Sequence, residues 1–299
     1  MDISNEIKVS VLMCAFNAEK YIKDSIESVL NQTYKNFEFI IVDDGSTDHT
    51  QSIIRSYDDR RICLVACKHD YIKSLNVGLS KCKGNYIARL DADDLMLPDR
   101  LEKQLSIMEK ETAISVCFSW GTTFGDSEGL IGHNVNELIE HPSFWLITGN
   151  LFMHSSAMIR RCFINTYHLR YKRYDYAEDY KLWVDIAFRG GKFYVIPEPL
   201  FRYRISETQV STRFHNEQND TRLVIQQEVL EQLLKTINHV AKQNLMRTYR
   251  QLLKLNTLGL ISGDEVIVIM FRLIKRTRWF IQNKTFSPKL PRNILKKDV

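Results

Sequence analysis

Residues 37–48 read FEFIIVDDGSTD, a run of Phe, Ile and Val cut off by two aspartates and a Gly-Ser turn sequence. A short apolar run with β-branched residues that stops at turn formers reads as a buried strand. The acids and the Ser-Thr-Asp that follow suit a helix N-terminus. The same pattern repeats outward in both directions. Upstream, Lys8–Phe16 (KVSVLMCAF) reads as a strand, and Asn17–Asn31 as a helix with Tyr21, Ile22, Ile26, Val29 and Leu30 at helical spacing and Asn17 as its candidate cap. Downstream come a helix over Thr47–Tyr57, a strand over Ile62–Ala66, a helix over Lys73–Lys81 and a strand over Tyr86–Leu90. A helix then opens at Pro98, and residues 113–119 (AISVCFS) form another strand. Such alternation argues for βαβ units and a mainly parallel sheet. Right-handed crossovers place all strand C-termini on one edge, where ligands bind in open α/β sheets. The acids after residue 42 and those after residue 90 therefore face one crevice.

After residue 120 the pattern loosens. Strands are expected at Ala157–Ile159 and Phe193–Ile196, and a helix over Tyr176–Arg189 with Leu182, Trp183, Ile186 and Ala187 inward. From about Asn216 the chain reads as helices over Thr221–Val240, Lys242–Leu255 and Asp264–Gln282. Charge divides at the same place. Residues 215–299 hold 15 Lys/Arg and 7 Asp/Glu, against 26 and 29 in residues 1–214. The expected organisation is a slightly acidic α/β body, 1–214, and a basic helical region, 215–299.

Composition excludes several classes. With 299 residues, 44% hydrophobic and 26% charged, the chain is neither disordered nor fibrous. No stretch approaches the roughly 20 apolar residues of a bilayer-spanning helix. The opening MDISNEIKVSVLM carries Asp2 and Glu6 before any apolar run, so no secretory signal is expected. The six cysteines include no Cys-x-x-Cys pair, which points to free thiols in a reducing cytoplasm rather than to zinc or disulfides.

Three acidic features carry candidate chemistry. In Leu90–Asp94 (LDADD), Asp91, Asp93 and Asp94 crowd three carboxylates into four positions at a strand end. Such repulsion is relieved by a hard divalent cation whose shell substrate phosphates complete, or by solvent on an open loop. Asp43–Asp44 are either helix-capping acids or part of that crevice. Glu178–Asp179 are either acids favoured at a helix N-terminus or contain a general base. Neither G-x-x-x-x-G-K-[ST] nor G-x-G-x-x-G follows the first strand, so phosphates would not be cradled by backbone amides in the usual way.

Three separated segments together resemble the inverting family 2 glycosyltransferases, nucleotide-sugar enzymes of GT-A fold. They are residues 8–48 (KVSVLMCAFNAEK…FEFIIVDDGSTD), residues 73–104 (KSLNVGLSKCKGNYIARLDADDLMLPDRLEKQ) and residues 177–183 (AEDYKLW). The resemblance covers roughly residues 7–205 and keeps motif order and spacing. It implies a Rossmann-like, mainly parallel central sheet with flanking helices. It also implies that Cys14, Phe16 and Asn17 line the base and ribose pocket, that Glu19 contacts the nucleoside, and that Asp44 hydrogen-bonds the base edge. Lys73 and Asn76 would touch the nucleotide, and Asp91 and Ala92 would lie near the ribose. Asp93 would hold Mn²⁺ or Mg²⁺, and Asp179 would be the catalytic base. Cys14 departs from the Pro or Thr usual at its position, which leaves base preference open. His154 matches a His of many relatives, either buried or facing ligand.

The implied reaction moves one sugar from a nucleotide diphosphate sugar, expected to be a UDP-sugar, to an acceptor hydroxyl with inversion. The implied setting is bacterial surface polysaccharide or glycolipid assembly on a saccharide or lipid-linked saccharide acceptor. Polymerising relatives carry Gln-x-x-Arg-Trp; here Arg278-Trp279 is preceded by Lys275, which favours single-sugar addition. The alternatives are a non-catalytic sugar-nucleotide binding module and a metal-dependent phosphotransfer enzyme. Leu95 stands where the Asp-x-Asp-x-Thr/Val pattern of the latter ends. In residues 264–282, Met270, Phe271 and Trp279 interleave with Arg272, Lys275, Arg276 and Arg278. That is either an interfacial helix at the cytoplasmic face of a membrane or a helix packed on the body. Nucleic acid is not an expected partner, since no binding motif accompanies the charge.

Overall fold

A computed structural model describes residues 8–132, 137–206, 209–235 and 239–276. The chain runs β1 (Val9–Ala15), α1 (Ile22–Leu30), β2 (Phe37–Asp43), α2 (Thr50–Arg55), β3 (Ile62–Ala66), α3 (Tyr71–Lys81), β4 (Tyr86–Arg89), β5 (Leu95–Met96), α4 (Arg100–Lys110) and β6 (Ile114–Gly125). Then follow β7 (Gly129–Ile131), β8 (Glu137–Ile139), α5 (Pro142–Trp145), β9 (Met158–Arg160), α6 (Arg161–Thr166), α7 (Glu178–Ala187) and β10 (Lys192–Ile205). The C-terminal part holds α8 (Val210–Arg213), α9 (His215–Leu233), α10 (His239–Thr257) and α11 (Gly263–Arg276).

The strands form one sheet in the order β3-β2-β1-β4-β9-β6-β10-β5, with β7 on β6 and β8 on β10. β1 pairs in parallel with β2 and β4, and β2 with β3. β9 is antiparallel to both β4 and β6, so β6 and the parallel β10 run with the first four strands. The expected mainly parallel sheet with flanking helices is present.

Alternation along the strands feeds two cores, one on each face. From β1 and β2, Leu12, Cys14, Ile40 and Val42 join the face covered by α3, α7 and the C-terminal helices. Val11, Met13, Phe39 and Ile41 join the face covered by α1 and α4. The first core is anchored by Phe118 of β6, whose ring stacks on Phe152 at 4.7 Å and meets Trp183 of α7 edge-on at 5.0 Å. Burying such rings contributes several kcal/mol, on the order of 3–5 for a Trp or Phe truncated to Ala. This contact fixes α7, and with it the Glu178–Asp179 end, to the sheet.

Some expectations need correction. β10 runs from 192 to 205 rather than over four residues, with irregular register around Pro199. A bulged strand interrupted by two prolines breaks the apolar alternation that marks a strand in sequence. The expected interfacial helix of 264–282 falls partly outside the described residues. Its described part, α11, buries Val266 and Met270 in the same core as Trp183. Val266 and Met270 thus pack on the body, and residues 277–282 lie outside the described residues.

Candidate active site

The carboxyl ends of β1 and β2 are level, with Ala15 opposite Asp43. The loops leaving them are stapled to each other. Asn17, at φ 47°, accepts from Thr47 N at 2.8 Å, and its own N–H donates to Ser46 Oγ. Glu19 accepts from His49 N at 2.9 Å, and its N–H donates to Asp48. Both residues are expected to touch the nucleoside; in the structure these side-chain oxygens accept from loop backbone. Gly45 is required here. Its φ is +79°, and a Cβ would lie 2.9 Å from His69 N.

Asp44 is completely buried. Its Oδ1 accepts from Asp70 N at 2.8 Å and from Ser74 Oγ at 2.5 Å, which ties β2 to the start of α3. Its Oδ2 makes no well-formed hydrogen bond, although His69 Nδ1 lies 2.9 Å away. One carboxylate oxygen of Asp44 is thus hydrogen-bonded by the protein, and the other is not. Phe16 is 43% exposed and stacks on His69 at 4.1 Å. Cys14 is a buried strand residue whose thiol is pushed up by burial. Lys73 is exposed and pairs with Asp70 at 3.2 Å. The Asn76 amide donates to Ile72 O and Tyr171 O and accepts from Tyr171 N, each at 2.9 Å.

The second group of residues lies at the end of β4. Arg89 is fully buried and donates to Leu12 O, Leu90 O and, at 2.8 Å, to Asp91 Oδ1. Ser155 Oγ donates to Asp91 Oδ2 at 2.8 Å. Burial opposes ionisation of Asp91, but Arg89 and Ser155 outweigh it and hold its pKa below the usual value. The neighbouring acids are less fully compensated: Asp94 Oδ1 accepts a backbone N–H, that of Arg204 at 2.9 Å. Burial and the charge of Asp91 push Asp93 up to about 6. Asp94 is raised further by burial and by Asp93, and its Oδ2 is buried without a hydrogen-bond partner. Ala92 is buried, and its carbonyl accepts from Ser25 Oγ at 2.9 Å.

The third group is the N-terminus of α7. Asp179 Oδ1 accepts from Tyr180 N at 2.6 Å, and Oδ2 accepts from Asn150 Nδ2 at 2.7 Å. Burial, aided by the charge of Asp91, pushes Asp179 up to about 6 against those two donors. Glu178 is pushed up to about 8, first by burial and then by Asp179. His154 is buried against Tyr171 at 2.8 Å and held down to about 3 by burial and by Arg89. It is a neutral structural group, one of the two roles left open by its sequence position.

Electrostatics link the three groups. Asp44, Arg89 and Asp91 all act on Cys14, and Asp91 acts on Asp93 and on Asp179. Among the described residues, no group of three or more His, Cys, Asp or Glu side chains could by itself cage a metal. The local chemistry still fits a cation that one or two carboxylates share with phosphate oxygens. Asp93 and Asp94 are crowded, pushed toward protonation and incompletely paired, as acids awaiting positive charge would be. The sequence reading missed Arg89, Ser155, Asn150 and His69. An arginine inside the apolar run YIARL was the available signal, since a buried cation demands an acid partner.

This constellation lies at the carboxyl edge of the parallel strands. Residues 10–169 match the family described as Glycosyl transferase family 2, and the chain belongs to that family. An uncharacterized glycosyltransferase of Haemophilus influenzae is 37% identical over 243 residues, spanning 77% of this chain and 75% of that protein. The Escherichia coli UDP-Glc:alpha-D-GlcNAc-diphosphoundecaprenol beta-1,3-glucosyltransferase WfaP is 32% identical over 188 residues, spanning 62% and 72%. Among solved structures, S. aureus TarS 1–349 in complex with UDP-GlcNAc superposes with a TM-score of 0.65 at 15% identity, covering 93% of this chain and 76% of that one. The mannosyltransferase PcManGT of Pyrobaculum calidifontis, in complex with GDP-Man and Mn²⁺, gives 0.54 at 14% identity over 93% and 88%.

Proposed function

We propose that the protein transfers a single sugar from a UDP-sugar to a hydroxyl of a lipid-linked saccharide, with inversion at the anomeric carbon. The observation that carries this reading is the carboxylate of Asp179. It is fixed by Asn150 and Tyr180 N, stands within electrostatic reach of Asp91, and titrates near neutrality at about 6. A base is most effective with a pKa near the working pH. Asp179 takes the proton of the acceptor hydroxyl as its oxygen forms the new bond to the anomeric carbon. The bond from that carbon to the diphosphate breaks, and its electrons leave with the nucleotide. A single displacement requires only one base and no covalent sugar intermediate. Phe16 offers a face for the nucleobase, and the stapled loops of Asn17 and Glu19 hold that face in place. Mn²⁺ or Mg²⁺ held by Asp93 and the donor's phosphates would supply Lewis-acid stabilisation of the departing charge.

The donor class is supported by the UDP-sugar named for WfaP and by the UDP-GlcNAc bound by TarS. The lipid-linked acceptor is supported by the diphosphoundecaprenol substrate named for WfaP. The setting we infer is surface polysaccharide or glycolipid assembly at the cytoplasmic face of a membrane. Metal use is supported by the Mn²⁺ of PcManGT. Replacing Asp179 by Asn removes the base while keeping its shape. Turnover should fall by about 10²–10⁴-fold with donor affinity retained. Near-normal turnover in that variant would overturn the assignment.

A further inference from the structure

We infer that the corner joining α10 to α11 is a docking surface for an anionic phospholipid bilayer. Leu255, Leu258 and Leu260 are 38%, 71% and 67% exposed there. They are not on a frayed end. Gly259, at φ +70°, closes α10 with Gly259 N donating to Asn256 O and Leu260 N to Leu255 O, both at 2.9 Å. This is the Schellman pattern, which sets Leu255 and Leu260 side by side. Asn256 Nδ2 donates to Ile261 O at 2.9 Å, and Ser262 and Glu265 cap α11 reciprocally at 2.7 and 3.2 Å. A Cβ on Gly259 would meet nothing within 4 Å, so the corner projects into open space.

The charge on the α10 side of the corner has one sign, whereas Asp264 and Glu265 open α11 on the other side. Arg247, Arg250 and Lys254 are exposed and follow one another at steps of three and four, ending at Leu258. They therefore form one stripe on α10. α10 contains no Asp or Glu. Its opposite face is locked to the body through buried Leu245 and Tyr249, whose hydroxyl donates to Ile147 O. The sequence beyond, residues 277–299, adds six Lys/Arg and one acid, so it does not supply the missing negative charge. Protruding leucines at the end of a basic stripe complement a surface that is anionic outside and apolar beneath. Because the corner is already ordered, little entropy is lost on insertion. Two exposed apolar residues of α9, Leu223 and Val224, lie outside this stripe.

The test is sedimentation of the full chain with vesicles, either of phosphatidylcholine alone or of equal parts phosphatidylcholine and phosphatidylglycerol. Binding is expected only to the mixed vesicles and should weaken as salt screens the charge. Leu258→Ser with Leu260→Ser should weaken it by roughly tenfold or more. Arg250→Glu with Lys254→Glu should remove the preference for the anionic lipid. Leu223→Ser with Val224→Ser, an equivalent apolar loss elsewhere, should bind as the parent does, and circular dichroism checks that every variant is folded. The proposal is overturned if the parent ignores mixed vesicles, if the corner variants bind normally, or if the α9 variant loses as much. It also falls if the corner variants dissociate an oligomer without changing vesicle binding, since the corner would then join copies of the chain. No donor or acceptor enters the assay, so it stands or falls separately from the transfer reaction.

Discussion

Replacing Asn150 by Ala should move the acidic limb of the pH–rate profile upward by about one unit. Asn150 Nδ2 donates to Asp179 Oδ2 at 2.7 Å, and its own Oδ1 accepts from Phe152 N, which fixes the amide's orientation. The bond favours the ionised carboxylate. Hydrogen bonds to charged groups are worth about 1.5–3 kcal/mol. Asn150 is exposed, so water recovers part of this and about 1.4 kcal/mol is the reasonable loss, close to one pKa unit. The parent's limb should have its midpoint near 6, with activity falling as the base is protonated below it. In the variant the midpoint should lie near 7, an estimate from that one-unit shift. At pH 6 the ionised fraction would drop from about one half to about one tenth, whereas at pH 8 the two enzymes would differ by less than about twofold. Release of UDP from UDP-glucose or UDP-GlcNAc between pH 5 and 9 measures this. Superimposable limbs, or a loss equal at every pH, would refute the argument, since a merely structural role scales all rates together.

Asp93→Ala should abolish the dependence of donor affinity on Mn²⁺ or Mg²⁺; titrating UDP with and without the ion by calorimetry tests it, and a parent indifferent to the ion would count against Asp93 as its ligand. Gly45→Ala should destabilise the fold by about 1–3 kcal/mol and weaken donor binding, because the residue sits at φ +79° with its Cβ position 2.9 Å from His69 N; chemical denaturation reads the first effect. Stability without ligands should fall by about 1–2 kcal/mol between pH 6.5 and 8. Glu178 is raised by burial to about 8, so the folded state keeps a proton that the unfolded chain has already released, and this contribution is lost as pH climbs through the folded value. Thermal midpoints rising across that window would contradict it.

The first half of the fold was legible because its central strands β1, β2 and β4 are buried on both faces and read as continuous apolar runs, such as FEFIIVD, between helices of clear period. The second half was not, because β10 is bulged and β7 and β8 are three residues each, too short to show alternation. The site was half legible. Acids at strand ends are visible in sequence, but their partners are not: Arg89 sits two positions from Asp91, whereas Ser155 and Asn150 come from 64 and 29 residues away. Only folding decides that Asp91 is neutralised while Asp93 and Asp179 are not. The protein partners of Asn76 and Asp44 were equally invisible in sequence, since Tyr171 and Asp70 lie 95 and 26 residues away.

The first core has one further consequence. Ile225, Val229 and Leu230 of α9, Leu245 and Tyr249 of α10, and Val266 and Met270 of α11 share it with Trp183, the residue that seats Asp179 on the sheet. Exchange of this segment between homologues, attempted to graft a new substrate preference, would transplant part of the foundation beneath the reactive carboxylate. Productive chimeras should therefore carry α7 together with α9–α11, and junctions placed at residue 214 should yield insoluble or inactive hybrids.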